Sequence, residues 1–215
     1  SAERIRRHLD RGKAPDTASL GIIRQCAMTI SSSVEQVRKL VDEFSQLAQF
    51  PASRPQPSDI NSIVSEALLM FEGRLDGIRV QRVLAPALPP VHADPEAMKR
   101  AIANLVDNAA EAMGDSLVKE LVISTTLLED RESVEIVVAD TGHGVTRELK
   151  EKLFLPYFST KKRGTGLGLA IVSRIVEDHH GSIRVEENQP VGARFILELP
   201  VVSETAPAAR TVHHA

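Results

Sequence analysis

Three short stretches of the sequence carry the residues that could do chemistry, and the last of them points to phosphate binding. Residues 161–172 read KKRGTGLGLAIV, so three cations and three alternating glycines precede an apolar helix. The start of such a helix presents unpaired backbone N–H groups at the positive end of the helix dipole. The spacing matches neither the P-loop nor the GxGxxG dinucleotide pattern. We expect Gly164, Gly166 and Gly168 to face a phosphate; the alternative is an ordinary surface loop.

A second stretch places one carboxylate at the end of an apolar strand. Residues 134–139 are apolar except for Glu135, and DTGHG follows at 140–144. Glycines at 142 and 144 permit a tight turn in which a ligand approaches the backbone, and Asp140 can accept a hydrogen bond from an amino group. Turns often contain Asp and Gly, so this motif alone is weakly specific. His143, between the two glycines, is predicted to be a spacer and not a catalytic base.

The third stretch lies on a predicted helix. Asn104, Asn108 and Glu111 are spaced four and three residues apart, so they share one side of that helix beside its apolar face. Amide and carboxylate oxygens suit hydrogen bonding or a hard cation such as Mg²⁺. The alternative, which this helix taken alone favours, is an ordinary solvated face.

Secondary structure predicted from hydrophobic periodicity places these stretches around one sheet. Asp94 and Pro95 are a typical N-cap and first helical residue. We expect Gly181 to end the last helix just past His180. A mixture of strands and helices indicates an α/β sandwich with a sheet in one layer and helices in the other. The predicted helices cover 58–71, 94–113, 147–154 and 166–179, and the predicted strands cover 78–84, 121–127, 134–140, 182–186 and 193–199.

The N-terminal part of the chain is predicted to be a long helix. Residues 17–50 contain a single glycine and no proline, and their apolar positions alternate in steps of four and three. Such a seam packs either within the chain or in a dimeric four-helix bundle, and we favour the dimer, partly on the resemblance described below. A short basic arm before residue 12 would begin a helical hairpin. Prolines at 51, 55 and 57 predict a linker, and residues 203–215 are expected to be frayed.

Composition excludes several classes of function. The 215 residues hold 26 Lys and Arg against 29 Asp and Glu, so the net charge of −3 disfavours a protein that holds nucleic acid by bulk charge. A single cysteine excludes an intrachain disulfide and a cysteine-built zinc site. No apolar run approaches the length of a membrane span. Any anionic ligand must therefore be bound by a local site.

Together with one further stretch, these motifs resemble a known set of four. In chain order they are NLVDNA at 104–109, DTGHG at 140–144, FLPYFSTK at 154–161 and GTGLGL at 164–169. They resemble the N, G1, F and G2 boxes of the catalytic domain of bacterial two-component sensor histidine kinases, which belong to the ATPase superfamily shared with gyrase, Hsp90 and MutL. The resemblance covers residues 58–202, and residues 41–51 resemble the end of the second dimerisation helix of nitrogen-regulation (NtrY-like) sensor kinases.

The resemblance implies a fold and a domain division. The fold would be α+β, a two-layer α/β sandwich of the GHKL (Bergerat) ATP-binding type preceded by a long-helix dimerisation hairpin. Residues 1–51 would be a partial hairpin, 58–202 the ATP-binding catalytic domain and 203–215 a flexible tail.

The resemblance also implies roles for site residues. Asp140 would accept from the adenine amino group, and two glycines would let the base approach. Asn108 would coordinate Mg²⁺, with Asn104 contacting the phosphate and metal region. Glu111 departs from the basic residue common at its position, so its role stays open. The full set of implied nucleotide-binding residues is Asn104, Asn108, Asp140, Gly142, Gly144, Lys161, Gly164, Thr165, Gly166, Leu167 and Gly168.

The function that the resemblance implies is phosphoryl transfer. The chain would be the catalytic core of a histidine protein kinase that passes the γ-phosphoryl of ATP to a histidine and thence to an aspartate of a response regulator, with ATP or ADP and Mg²⁺ as cofactors. Its partners would be a second copy, joined through the 17–50 helix, and a receiver domain; no nucleic acid or membrane contact is expected. The location would be the cytoplasmic portion of an inner-membrane sensor. The alternative is a nucleotide-binding or dimerisation module without turnover.

The phosphoacceptor motif of this family has no match in the chain. His8 is followed by Leu9, whereas the family has an acidic residue next to the acceptor and Asn-Pro a few residues later. Residues 1–7 resemble the segment just after that motif. We therefore expect the acceptor histidine to lie upstream of these 215 residues, and the chain alone to bind nucleotide without phosphorylating itself.

Overall fold

Helix α1, Thr17–Ala48, confirms the long helix predicted over 17–50 as far as residue 48. In this computed structural model, residues 17–48, 53–159 and 164–202 are described, so the predicted arm before residue 17 and the tail at 203–215 lie outside the described residues. The described chain divides into two units, one with 17–48 and 164–165, the other with 53–159 and 166–202. Four large apolar side chains at the heptad positions of α1 are exposed: Ile30, Val34, Val37 and Val41.

The second unit contains the predicted strands and helices in the predicted order, together with two short strands that were not predicted, Gln56–Ser58 and Val91–Ala93. Its helices are α2 (Ile60–Leu69), α3 (Pro95–Ala112), α4 (Arg147–Lys150) and α5 (Gly168–Asp178). Its strands are β1 (Gln56–Ser58), β2 (Arg79–Leu84), β3 (Val91–Ala93), β4 (Glu120–Leu128), β5 (Ser133–Asp140), β6 (Ser182–Glu187) and β7 (Ala193–Pro200).

A five-stranded mixed sheet forms one layer of this unit. Its strand order is β2-β4-β5-β7-β6, with β2 and β4 parallel and the other neighbours antiparallel. Helix α3 contacts β4, β5, α2 and α5, and α5 contacts β6, so the helices form a second layer, as predicted. The largest fully buried side chains are all aliphatic or methionine: Ile60, Met98, Ile102, Leu105, Met113, Leu121, Ile123, Ile136, Leu167, Ile171, Ile175 and Ile196.

The structure differs locally from the predictions in three places, two of which concern only where a helix begins or ends. The segment predicted as a linker up to residue 58 contains β1, which pairs antiparallel with the unpredicted strand β3, and the Ser58 hydroxyl donates to the carbonyl of Ala93 at 3.1 Å. The helix predicted over 147–154 is only the short α4, and α5 begins at Gly168 and not at residue 166.

None of the described helices is long and apolar enough to cross a membrane.

Asp94 caps α3 as predicted, and it also accepts a hydrogen bond from a residue outside that helix. Its carboxylate accepts from the backbone N–H groups of Glu96 and Ala97, and also from that of Arg54 at 2.9 Å. Burial raises the pKa of this carboxyl, but the three backbone donors outweigh burial and hold the pKa below its ordinary value. The ionised cap therefore stabilises the folded state.

We predict that Asp94→Ala lowers the free energy of unfolding at pH 7 by about 1–2 kcal/mol, because three backbone donors lose their acceptor. Since the folded pKa is lowered, this stabilisation is present at neutral pH and is lost as the pH falls below about 4. Urea unfolding at several pH values measures both effects. Asp130→Ala is the control, because Asp130 is exposed and its carboxylate lies 3.9 Å from Arg131. Equal losses in the two variants at pH 7 would contradict the prediction.

Candidate functional site

Asp140 ends β5 as a buried carboxyl group, with 2% of the residue exposed. Its Oδ1 accepts from the backbone N–H of Gly142 at 2.8 Å and from that of Ala193 at 3.4 Å. Its Oδ2 accepts no hydrogen bond from any residue that the structure describes. Burial raises the pKa of the carboxyl, and the two backbone donors and nearby His143 offset only part of that rise. The turn thus holds one oxygen, while the other accepts from none of the described residues.

Glycines surround Asp140 because backbone segments touch there. A Cβ on Gly142 would lie 2.8 Å from the backbone of Ala112, and one on Gly144, at φ +71°, would lie 2.9 Å from the carbonyl oxygen of Gly192. Gly192 is the tightest: at φ +118°, its Cβ would lie 1.9 Å from the Asp140 carbonyl oxygen. The predicted glycines 142 and 144 therefore allow close contact between chain segments.

Two residues that sequence reasoning missed brace this turn. The side-chain amide of Asn188 donates to the Asp140 carbonyl oxygen at 2.8 Å, while its backbone N–H donates to the Gly192 carbonyl at 3.0 Å. The Thr141 hydroxyl donates to the Val118 carbonyl at 2.8 Å. Asn188 lies in an NQPVG segment, which signals a turn, but nothing in that segment indicates a partner 48 residues earlier.

His143 has an exposed side chain, and its Nδ1 lies 2.8 Å from the Gly144 carbonyl oxygen. It touches the backbone of its own turn, which suits the spacer role predicted for it.

The asparagines of α3 face the N-terminus of α5. A Cβ built on Gly168 would lie 3.8 Å from Asn108 Nδ2 and 3.9 Å from Asn104 Oδ1. Asn104 Nδ2 is buried and donates to no group among the described residues. Backbone donors at a helix start and an unsatisfied amide therefore lie at one place, which is an arrangement suited to phosphate.

The backbone that leads into α5 is also held in place. Gly166 has φ +70°, and its Cβ would lie 2.6 Å from the backbone carbon of Tyr157. Its carbonyl accepts from the Tyr157 N–H at 2.9 Å, and Leu167 is fully buried. Phe154 and Phe158 are partly buried beside the exposed Tyr157. The position of the last loop residues before α5 is thus set by packing.

Not every predicted site residue falls into this group. Gly164 and Thr165 belong to the unit that contains α1, and Lys161 lies outside the described residues. Glu111 is exposed and lines a cavity of about 480 Å³ together with Ala112, Thr141, Gly142 and His143. The roles of these residues remain predictions.

The side chains available as metal ligands indicate what kind of metal site could form here. Within residues 17–48, 53–159 and 164–202, no group of three or more His, Cys, Asp and Glu could hold a metal ion. The amide oxygen of Asn108 is a suitable hard ligand, and Mg²⁺ usually binds proteins through one or two ligands plus substrate phosphates. The residues present therefore fit a magnesium ion that arrives with a phosphate, and they do not form a cage of their own.

Comparison with known proteins adds a family match. The family model described as "Histidine kinase-, DNA gyrase B-, and HSP90-like ATPase" matches residues 93–203. This range contains the N-terminal cap of α3, both asparagines, Asp140 and α5.

Two named sensor proteins are similar to the chain. Sensor histidine kinase ZraS of Escherichia coli O157:H7 is 34% identical over 84% of this chain and 39% of its own length. Nitrogen regulation protein NtrY of Azorhizobium caulinodans is 30% identical over 95% of this chain and 26% of its own length. The chain therefore spans two fifths or less of these relatives.

Solved structures of histidine kinase ThkA are also similar. Its catalytic domain is 34% identical, with 68% of this chain and 95% of that chain covered and a TM-score of 0.61. Its complex with response regulator protein TrrA is 26% identical, with 95% of this chain and 57% of that chain covered and a TM-score of 0.73. These matches confirm the predicted two-layer fold.

We predict that Asp140→Asn is at least as stable as the parent at pH 7, because it removes a buried charge and keeps an oxygen for the Gly142 N–H. Since the folded pKa of Asp140 is raised, the penalty of ionisation is present at neutral pH and vanishes below about pH 4. The advantage of the variant should shrink accordingly in urea unfolding. Asp140→Ala is the comparison and should lose stability, because two backbone donors lose their acceptor. If Asp140→Asn were as unstable as Asp140→Ala at pH 7, the prediction would be refuted.

Proposed function

Because the chain belongs to the family of histidine kinase-, DNA gyrase B- and HSP90-like ATPases, as the catalytic domain of a sensor histidine kinase, we propose that it binds ATP along α3. Asp140 would accept from the adenine amino group at one end. The N-terminus of α5 would bind the phosphates at the other.

The spacing along α3 is the observation that carries this proposal. The Asp140 turn touches α3 at Ala112, through Gly142, while Gly168 approaches α3 at Asn108 and Asn104. These contacts are four and eight residues apart, or about 6 and 12 Å along the helix axis. An acceptor for an amino group and a set of phosphate donors are thus separated by a distance that a nucleotide can bridge.

The residues at the N-terminus of α5 and the asparagines of α3 would position the triphosphate for the reaction. Backbone N–H groups of Gly166, Leu167 and Gly168 would contact the triphosphate. The contacts that the resemblance implies for Lys161, Gly164 and Thr165 stay predictions. Asn108 would hold Mg²⁺, which neutralises charge on the phosphates when bound, and Asn104 would donate to a phosphate oxygen. The protein's contribution is then positioning and charge neutralisation, with no covalent intermediate on these residues.

In the whole protein, we propose that this site phosphorylates a histidine. The bond between the γ-phosphorus and the β,γ-bridging oxygen breaks, a bond to an imidazole nitrogen forms, and ADP leaves. The phosphoryl group then passes to an aspartate of a response regulator, the class of partner seen with ThkA. None of the seven histidines is followed by an acidic residue, and the curated relatives are much longer, so we place the acceptor outside these residues, in a cytoplasmic portion of a sensor.

We predict that Asn108→Ala weakens Mg²⁺-dependent ATP binding about tenfold or more, because the metal loses a ligand. Isothermal titration calorimetry with and without Mg²⁺ measures this effect. Asp107→Ala is the matched control: Asp107 is the preceding residue of α3, is exposed and pairs with Arg74. It should bind ATP as the parent does.

GTP provides a second control in the same titrations. It carries a carbonyl oxygen where ATP carries the amino group, so it should bind about 100-fold more weakly or worse. ATP affinity that is unchanged in Asn108→Ala would refute the metal role, and equal affinity for ATP and GTP would refute the role of Asp140.

Exposed apolar residues on α1 support a homodimer. Val34, Val37 and Val41 repeat at heptad spacing on a 32-residue helix that is about 48 Å long, and each is more than half exposed. A seam of this kind is stable only when it is covered. We propose that the same seam of a second copy covers it.

We predict that Val37→Glu shifts the protein from a dimer toward the 23.5 kDa monomer in sedimentation equilibrium, because a buried unpaired charge disfavours the interface. Ser32→Glu is the control, since Ser32 is exposed on the opposite side of α1. It should remain dimeric. A parent chain that is monomeric at all concentrations tested would contradict the proposal.

A further inference from the structure

His179 is buried at the C-terminal end of α5, with 2% of the residue exposed. Its Nδ1 lies 2.6 Å from the Ile175 carbonyl oxygen, and its Nε2 lies 2.8 Å from the backbone nitrogen of Asp94. A carbonyl can only accept and a backbone N–H can only donate, so Nδ1 carries the proton and Nε2 carries the lone pair. The imidazole therefore joins α5 to the start of α3.

The acceptor that His179 provides is one that α3 itself lacks. In a capping box, a Glu or Gln at the third helical residue reaches back to the N–H of the cap. Here Asp94 caps α3 in the usual way, but the third helical residue is Ala97, which has no acceptor. His179 completes the box from a different helix, so the cap of α3 also attaches α3 to α5.

This attachment and the proposed phosphate site lie at opposite ends of one helix pair. From Asp94 to Asn104 is ten residues, and from His179 back to Gly168 is eleven. The two helices run antiparallel, and the distances along them are about 15 and 17 Å. The hydrophobic effect between helices is non-directional, whereas a hydrogen bond between the helices adds a directional constraint on their register.

We propose that His179 is a positioning residue for the phosphate end of the nucleotide site, a role that rests on the proposed ATP binding. By fixing the axial register of α5 against α3, it fixes the separation between the Gly168 backbone and the asparagines. Both the Nε2 bond and the burial of the ring serve this alignment. The residue itself contacts no substrate.

A pair of substitutions separates the bond to α3 from the bond within α5. In His179→Asn, the short amide can still donate to the Ile175 carbonyl but cannot reach Asp94. In His179→Gln, the longer side chain carries an oxygen to the place of Nε2. We expect the Asn variant to bind Mg²⁺-ATP about tenfold more weakly in calorimetry, and the Gln variant to stay within about twofold of the parent. His180→Asn, at an exposed neighbouring residue, is the control and should also stay within about twofold.

A double variant distinguishes positioning from simple stabilisation. Adding Ala97→Glu to His179→Asn supplies the missing capping-box acceptor on α3 itself without restoring the link to α5. We expect the thermal unfolding midpoint to recover and the ATP affinity to stay low. Recovery of both would show a purely structural role and overturn the proposal.

The remaining outcomes are also decisive. Unchanged affinity in His179→Asn, or an affinity in His179→Gln as low as in the Asn variant, would overturn the positioning role while the ATP proposal stands. A parent chain that does not bind ATP would overturn both. Thermal unfolding of every variant establishes that the affinities refer to folded protein.

Discussion

A buried carboxyl group needs hydrogen-bond partners, and at Asp140 in the ATPase domain the backbone supplies them. Its bonded oxygen depends on two N–H groups from different strands and turns, those of Gly142 and Ala193. For those groups to come close enough, the residues at 142, 144 and 192 must lack side chains. The local geometry of three separate segments is therefore a consequence of one buried acceptor.

Helix α3 transmits this constraint to the rest of the domain. Its last residues contact the turn at Gly142, its middle carries the two asparagines, and its cap is tied to α5 by His179. An α-helix is stiff over this length, so features at its two ends cannot move independently. The positions of the proposed base and phosphate contacts, and of the hydrogen bond between the helices, therefore all depend on α3.

Features that depend on neighbours in sequence could be predicted, and features that depend on distant contacts could not. The cap at Asp94, the spacing of Asn104 and Asn108 and the turn after Asp140 are local, so their patterns were sufficient. Strand β1 was missed because it is three residues long, contains a proline and exists only through its pairing with β3. The bonds made by Asn188 and His179 were equally invisible, since their partners lie 48 and 85 residues away.

At the end of α5, the sequence pattern identified the right residue, Gly181, but indicated the wrong physical reason for it. Glycine at 181 was expected to end the helix by its conformational freedom. In the structure His180 takes the left-handed conformation, at φ +57°, while a Cβ on Gly181 would lie 2.4 Å from the Glu198 carbonyl oxygen. The glycine is required by its closeness to β7, which the local sequence does not reveal.

The contact between Asp140 and Ala193 also has a consequence for the order of events during synthesis. These residues are 53 positions apart, and Ala193 opens a strand that lies between β5 and β6 in the sheet. A nascent chain that has reached β5 has Asp140 but not the strand that completes its surroundings. The hydrogen bonds of the buried Asp140 carboxyl group can therefore be complete only after β7 has been synthesised and has paired with β5.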